Sequence, residues 1–225
     1  MTNDTTIPSS TPTSTSTFVL RNHAPPARAE TIEALFAYAK VNWKLEVPSW
    51  PQEQANQPSG KLPVLVESGT SGTKFVLSET LAIESYLAKK FNLTVSDSPE
   101  MVARQVELRT QINDVYELAL MHKIGSTAER KVVMEKFVGA ARAIVRYHEK
   151  VLQANGGNGH YFGDRVTYMD IVVFAFFCIL NSQIAADMPQ ALDFFSEHSA
   201  PLLNKVCTTT AKEPALTDFV TSFRK

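Results

Sequence analysis

Apolar and polar positions change rhythm twice along the chain. Phe18-Val19-Leu20, Trp43 to Val47, Val64 to Glu67 and Lys74 to Leu77 are short apolar-rich runs bounded by turn residues, which predicts four strands in the first 90 or so positions. Ser68-Gly69-Thr70-Ser71-Gly72 joins the last two as a hairpin. Between the first two, Ile32, Leu35, Phe36 and Ala39 recur with helical spacing, so Pro26 to Lys40 is predicted as an amphipathic helix opened by a proline-rich turn. Ile83, Leu87 and Phe91 predict a second helix. Strand, helix, strand, irregular segment, hairpin and helix is the order of an α/β thioredoxin-like domain.

Beyond Asn92 every periodic segment is helical. The stretch 92–99 is polar and carries Pro99, and is predicted to link a domain at 17–91 to an all-α domain at 100–225. Glu100 to His122 and Ala128 to Gln153 read as long helices, the second closed by Asn155-Gly156-Gly157. Thr167 and Asp170 form a T-x-x-D capping box, with Val166 and Ile171 placed as a hydrophobic staple. That box starts a helix containing the longest apolar run, Ile171 to Leu180, far short of the roughly 20 residues needed to span a bilayer.

Composition narrows the function classes. The net charge of -1, from 22 basic and 23 acidic side chains, leaves no electrostatic footprint for nucleic acid. Cys178 and Cys207 have neither metal-ligand nor C-x-x-C spacing, so no metal is expected and a reducing, cytoplasmic setting fits. Residues 1–16 are dominated by Thr and Ser, lack Lys and Arg, and have no apolar segment, which predicts a disordered tail rather than a targeting signal. No Walker, dinucleotide or G-x-S-x-G pattern occurs, so the chemistry is sought in the sheet domain.

Two segments there stand out. Lys61-Leu62-Pro63-Val64 sets a proline ahead of a strand. A cis bond would turn the Leu62 backbone outward to pair with a peptide ligand, and an ordinary strand-initiating proline is the alternative. In Leu77-Ser78-Glu79-Thr80-Leu81-Ala82-Ile83 a strand ends and a helix begins. Free amides at that helix start suit a carboxylate and Glu79 suits an ammonium group, so a zwitterionic amino-acid end would fit, although Thr80 or Ser78 could equally be a simple cap.

Together, Trp50-Pro51, Gly60-Lys61-Leu62-Pro63-Val64-Leu65, Glu79-Thr80-x-Ala82-Ile83-x-x-Tyr86-Leu87, Arg28-Ala29-Glu30 and Tyr161-Phe162-Gly163-Asp164-x-x-Thr167-x-x-Asp170 resemble the cytosolic glutathione transferase superfamily. The Trp-Pro pair and its spacing point to the sigma class, and the likeness runs from Phe18 to the C-terminus. The resemblance implies a homodimer with glutathione as co-substrate. Trp50, Gln54 and Lys61 would hold the glycyl end, Leu62 before Pro63 the cysteinyl backbone, and Glu79 with Thr80 the γ-glutamyl end. Asp114 would reach the γ-glutamyl group bound in the neighbouring subunit, and Tyr116 and Met121 match parts of the electrophile pocket.

The departure lies at the thiol. The position of the sigma-class catalytic tyrosine is Asn22, followed by His23, and Gln54 stands where lysine is commoner. A free thiol of pKa ~8.5 is mostly protonated at neutral pH, and lowering it by two units requires ~2.7 kcal/mol of selective stabilisation of the anion. Asn22 would donate one hydrogen bond, and Arg28 matches an arginine that supports the thiolate in sigma-class enzymes. The expected function is conjugation of glutathione to small apolar electrophiles, as in detoxification. The alternatives are a glutathione-binding or scaffold protein of the same fold, and a glutathione-dependent isomerase or peroxidase.

Overall fold

The computed structural model describes residues 16–24, 28–69 and 72–222. All but Ser16 of the expected Thr/Ser-rich tail lies outside the described residues, as do the prolines expected to open the first helix and Thr70-Ser71 of the hairpin turn.

Strands β1 (Thr17–Arg21), β2 (Trp43–Glu46), β3 (Val64–Ser68) and β4 (Lys74–Ser78) form one sheet in the order β2-β1-β3-β4. β1 is parallel to β2, with Phe18 opposite Trp43, and antiparallel to β3, with Leu20 opposite Leu65. Parallel neighbours need a crossover, and helix α1 (Glu30–Ala39) provides it. Strand alternation turns Phe18 and Leu20 to one side, where α1 packs Ile32, Leu35 and Phe36 and helix α2 (Thr80–Lys90) packs Ile83 and Leu87. The Phe18 and Phe36 rings meet at 5.3 Å.

Helix α1 starts at Glu30 rather than at Pro26. Arg28 sits at φ 65, in the left-handed region, and a right-handed helix cannot run through it. At the other end Lys40 takes φ 52 and closes the helix. β2 stops at Glu46, one position before the predicted Val47, where the Glu46 carbonyl accepts the Asn22 N–H at 3.0 Å.

After Asn92 to Ser98 the chain is helical: α3 (Pro99–Ile124), α4 (Thr127–Ala154), α5 (Tyr168–Ile179), α6 (Ala191–Phe194), α7 (Pro201–Thr210) and α8 (Thr217–Ser222). The molecule is thus a small mixed-sheet domain followed by an all-helical domain, the class predicted from element order. The Asp170 carboxylate starts α5 by accepting the Thr167 N–H at 2.7 Å, the Thr167 hydroxyl at 2.7 Å and the Tyr161 N–H at 2.8 Å. α5 is buried almost all round and runs into a π-helical turn at Leu180–Ile184, where the sequence predicted plain helix up to Leu180.

Two sets of bonds join the domains. Arg165 donates to the carbonyls of Asn92 at 3.0 Å and Thr94 at 2.9 Å, and the Tyr168 N–H donates to the Leu93 carbonyl at 2.9 Å. Deeper in, Arg109 of α3 holds Glu84 of α2 in a two-pronged pair of 2.7 and 2.9 Å, and the Tyr168 hydroxyl of α5 donates to the same carboxylate at 2.6 Å.

Candidate functional site

The junction of β4 and α2 shapes the site. Glu79 links them at φ 73 and ψ 119, a conformation that side chains other than glycine avoid and that costs of order 1–3 kcal/mol. It leaves Glu79 exposed and makes Thr80 the first residue of α2, beside amides that have no helical partner. The Thr80 hydroxyl donates to the Arg28 carbonyl at 3.4 Å.

Arg28, the second left-handed residue here, faces the helical domain. Its N–H donates to the Tyr116 hydroxyl oxygen at 3.2 Å and its guanidinium to Glu117 at 2.7 Å. Tyr116 and Glu117 are neighbours on α3, so one bend before α1 is fastened to the other domain by backbone and side chain together.

These residues surround a cavity of about 250 Å³ between the domains. Arg28, Glu30, Thr31, Glu79 and Thr80 form its polar side. Its floor is apolar, made by Ile112 and Tyr116 of α3 and by Val172, Phe176 and Ile179 of α5. Burial, reinforced by the nearby Glu30 charge, pushes the Tyr116 phenol well above its usual range. Glu30 is itself pushed up to about 7 by burial, and Glu33 to about 7 by burial and by repulsion from Glu30.

Of the residues proposed from sequence, Arg28, Glu79, Thr80 and Tyr116 meet at this cavity. Leu62, before the strand ladder begins at Val64, makes no turn or loop backbone hydrogen bond among the described residues, and the Leu62–Pro63 bond is cis. The Trp50–Pro51 bond is also cis, and the edge of His23 packs on Trp50 at 5.2 Å. Gln54 donates to the Gly60 carbonyl at 3.1 Å, and Lys61 is exposed with no ion pair among the described residues. None of this 50–63 stretch lines the cavity.

Asn22 and Met121 do not line this cavity, and Asp114 faces away from it. Asn22 is 0% exposed and does not line the cavity, because it continues the alternation that buries Phe18 and Leu20. The exposed residue at the end of β1 is His23. Met121 is 51% exposed and lies beyond the cavity, one helical turn too far along α3. Asp114 is exposed on the face of α3 away from the lining, while its neighbour Asn113 lines it.

The sequence reading missed Glu30, Thr31, Asn113 and Glu117. Glu30 was inside a quoted motif, and Asn113, Tyr116 and Glu117 have the spacing of one helix face. Their common target became visible only when α5 closed over them. Among the described residues no group of three or more His, Cys, Asp or Glu side chains comes together as a metal site, and no helix is long and apolar enough to cross a membrane.

Residues 119–222 match the family described as glutathione S-transferase, C-terminal domain. S-crystallin SL11 of Nototodarus sloanii is 25% identical over 152 residues, covering 66% of this chain and 72% of its own. The glutathione S-transferase class-mu 28 kDa isozyme of Schistosoma japonicum is 25% identical over 153 residues, covering 66% and 73%. The structure of the Fasciola hepatica sigma class GST superposes with a TM-score of 0.76 over 93% of this chain and 98% of its own at 20% identity, which speaks to the fold. The chain is thus similar to glutathione S-transferases in the sequence of its helical domain, and shares their fold.

Proposed function

We propose that the chain is a sigma-like glutathione transferase that binds the tripeptide across the sheet domain and attacks small apolar electrophiles with its thiolate. The observation that carries this reading is the β4–α2 junction. Its left-handed Glu79 presents a carboxylate and a helix start side by side, at the rim of a cavity with an apolar floor. A zwitterionic γ-glutamyl end needs that pairing of an acid with free amides.

In this reading Glu79 takes the ammonium group, Thr80 and the first amides of α2 take the α-carboxylate, and the Leu62 backbone pairs with the cysteinyl residue. Lys61, Trp50 and Gln54 meet the glycyl end. Arg28 supplies positive charge near the sulfur, fixed in place by its bond to Glu117. Asp114, exposed on α3, would act on the site of a second subunit in a homodimer.

The second reading is a glutathione-binding protein without turnover. It is favoured by Asn22, a carboxamide in place of the expected hydroxyl that is fully buried and does not line the cavity, and by the similarity to an S-crystallin. Retention on immobilised glutathione and conjugation of chlorodinitrobenzene decide between them. The transferase reading expects both, with Arg28→Ala lowering kcat/KM by about 10–100-fold while retention persists. Retention without turnover selects the second reading, and loss of retention in the wild type defeats both.

A further inference from the structure

His23 follows the inner strand β1 and stands beside the fully buried Asn22. Strand alternation sends Phe18, Leu20 and Asn22 to the helix side of the sheet and His23 to the other side, where its ring edge packs on Trp50 at 5.2 Å. The ladder of β1 on β3 ends with Arg21 opposite Val64. Continued along both segments, that antiparallel register sets Asn22 level with Pro63 and His23 level with Leu62. Val64 is opposite Ser78 in β4, so the next rows reach Glu79 and then Thr80. His23, Leu62 and Thr80 therefore share one row across the end of the sheet.

A tripeptide held at one end by Glu79 and Thr80, and at the other by Lys61 and Trp50, has its middle residue at Leu62. In glutathione that residue carries the thiol, which places the sulfur on the row of His23. The imidazole is exposed, and its nitrogens have no hydrogen-bond or ion-pair partner among the described residues. Of the charged groups on the elements around it, Glu46 is held by Arg21 at 3.1 Å and Lys44 at 3.0 Å, Glu53 accepts the Ser49 N–H at 2.6 Å, and Lys61 is exposed. The other histidines, His122, His148, His160 and His198, all belong to the helical domain, which leaves His23 as the one imidazole of the sheet domain.

We propose that His23 is the catalytic base of this site, taking the proton of the glutathione thiol in place of any help from the sealed Asn22. This deepens the transferase reading and rests on it. The S–H bond breaks, its electron pair stays on sulfur, and the proton passes to a ring nitrogen. The thiolate is then stabilised by the imidazolium it has created, an opposite charge at close range. On chlorodinitrobenzene the thiolate forms the C–S bond, chloride leaves with the C–Cl pair, and the imidazolium gives its proton to water.

In His23→Ala, kcat/KM with chlorodinitrobenzene falls about 10–100-fold, and added imidazole restores much of it while leaving the wild type unchanged. Retention of that variant on glutathione coupled through its sulfur persists, because that ligand has no thiol proton to lose. Unchanged turnover in His23→Ala overturns the proposal and leaves the transferase reading intact. Lost turnover that imidazole does not restore, with retention lost as well, marks a structural role and overturns it too. The wild type gives a second test that needs no variant. At about pH 8, glutathione binding produces the ultraviolet absorbance of a thiolate while the protein keeps the proton, so the calorimetric heat is the same in buffers of different ionisation enthalpy. Release of about one proton per site to the buffer overturns the proposal. Absence of both thiolate and turnover in the wild type overturns the transferase reading together with it, and retention shows whether binding survives.

Discussion

At the residue scale the site is built from backbone conformations that its side chains do not favour. Arg28 at φ 65 and Glu79 at φ 73 stand on either side of the Thr80 hydroxyl, and both line the cavity. Such strain persists when its surroundings enforce it, and at Glu79 the exposed carboxylate gives no compensating cap to its own helix. Glu79→Gly should therefore stabilise the fold by about 1 kcal/mol, by relieving the left-handed strain, while weakening glutathione binding. A urea titration read beside glutathione retention checks this, and a stability loss with unchanged binding would show that the acid serves the fold instead. The sequence marked Glu79 as chemically suited to an ammonium group. The left-handed backbone that displays it was not legible, because φ here is set by the strand and helix it must join.

At the scale of elements, the buried Arg109–Glu84 pair decides how α2 and α3 meet. Burial alone would lower the Arg109 pKa, but the Glu84 charge and hydrogen bonds outweigh it and drive it upward. Removing one partner strands the other in the interior, at a cost of about 3–5 kcal/mol. Arg109→Met should thus cost that much, and the double variant Arg109→Met with Glu84→Leu should recover most of it. Thermal melts of the three variants test the coupling, and additive losses would deny it. Tyr168, which shares Glu84, extends the clamp to α5. Nothing in the sequence singled out this trio, since 25 positions separate Glu84 from Arg109 and 84 separate it from Tyr168. By contrast, the Thr167–Asp170 box was legible, because both partners lie within one helical turn.

At the scale of the whole molecule, two buried groups tie stability to pH in opposite senses. Glu30 titrates near 7 when folded against 4.5 ordinarily, so its contribution is full below about pH 4.5 and is lost as pH rises through about 7. His148, bonded to Tyr161 at 2.6 Å and Gln111 at 3.0 Å, is depressed by burial from 6.5 to about 4. Its contribution is present above about pH 6.5 and is lost as pH falls through about 4. Relative to wild type, Glu30→Gln should gain up to about 3 kcal/mol on going from acid to neutral pH, and His148→Gln should gain a similar amount in the reverse direction. Denaturant midpoints across that range check both slopes, and parallel profiles would place the shifts elsewhere. The sequence by itself determined the strand and helix order, the sheet-then-helices class and the α5 cap, because these depend on periodicity and on neighbours a few positions apart. Only the tertiary structure decided that Asn22 is sealed inside, that Met121 stands outside the cavity and that Glu30 is fully buried at its wall. Burial and the left-handed turns at Arg28 and Glu79 arise from contacts between segments far apart in the chain, and local pattern carries no record of those contacts.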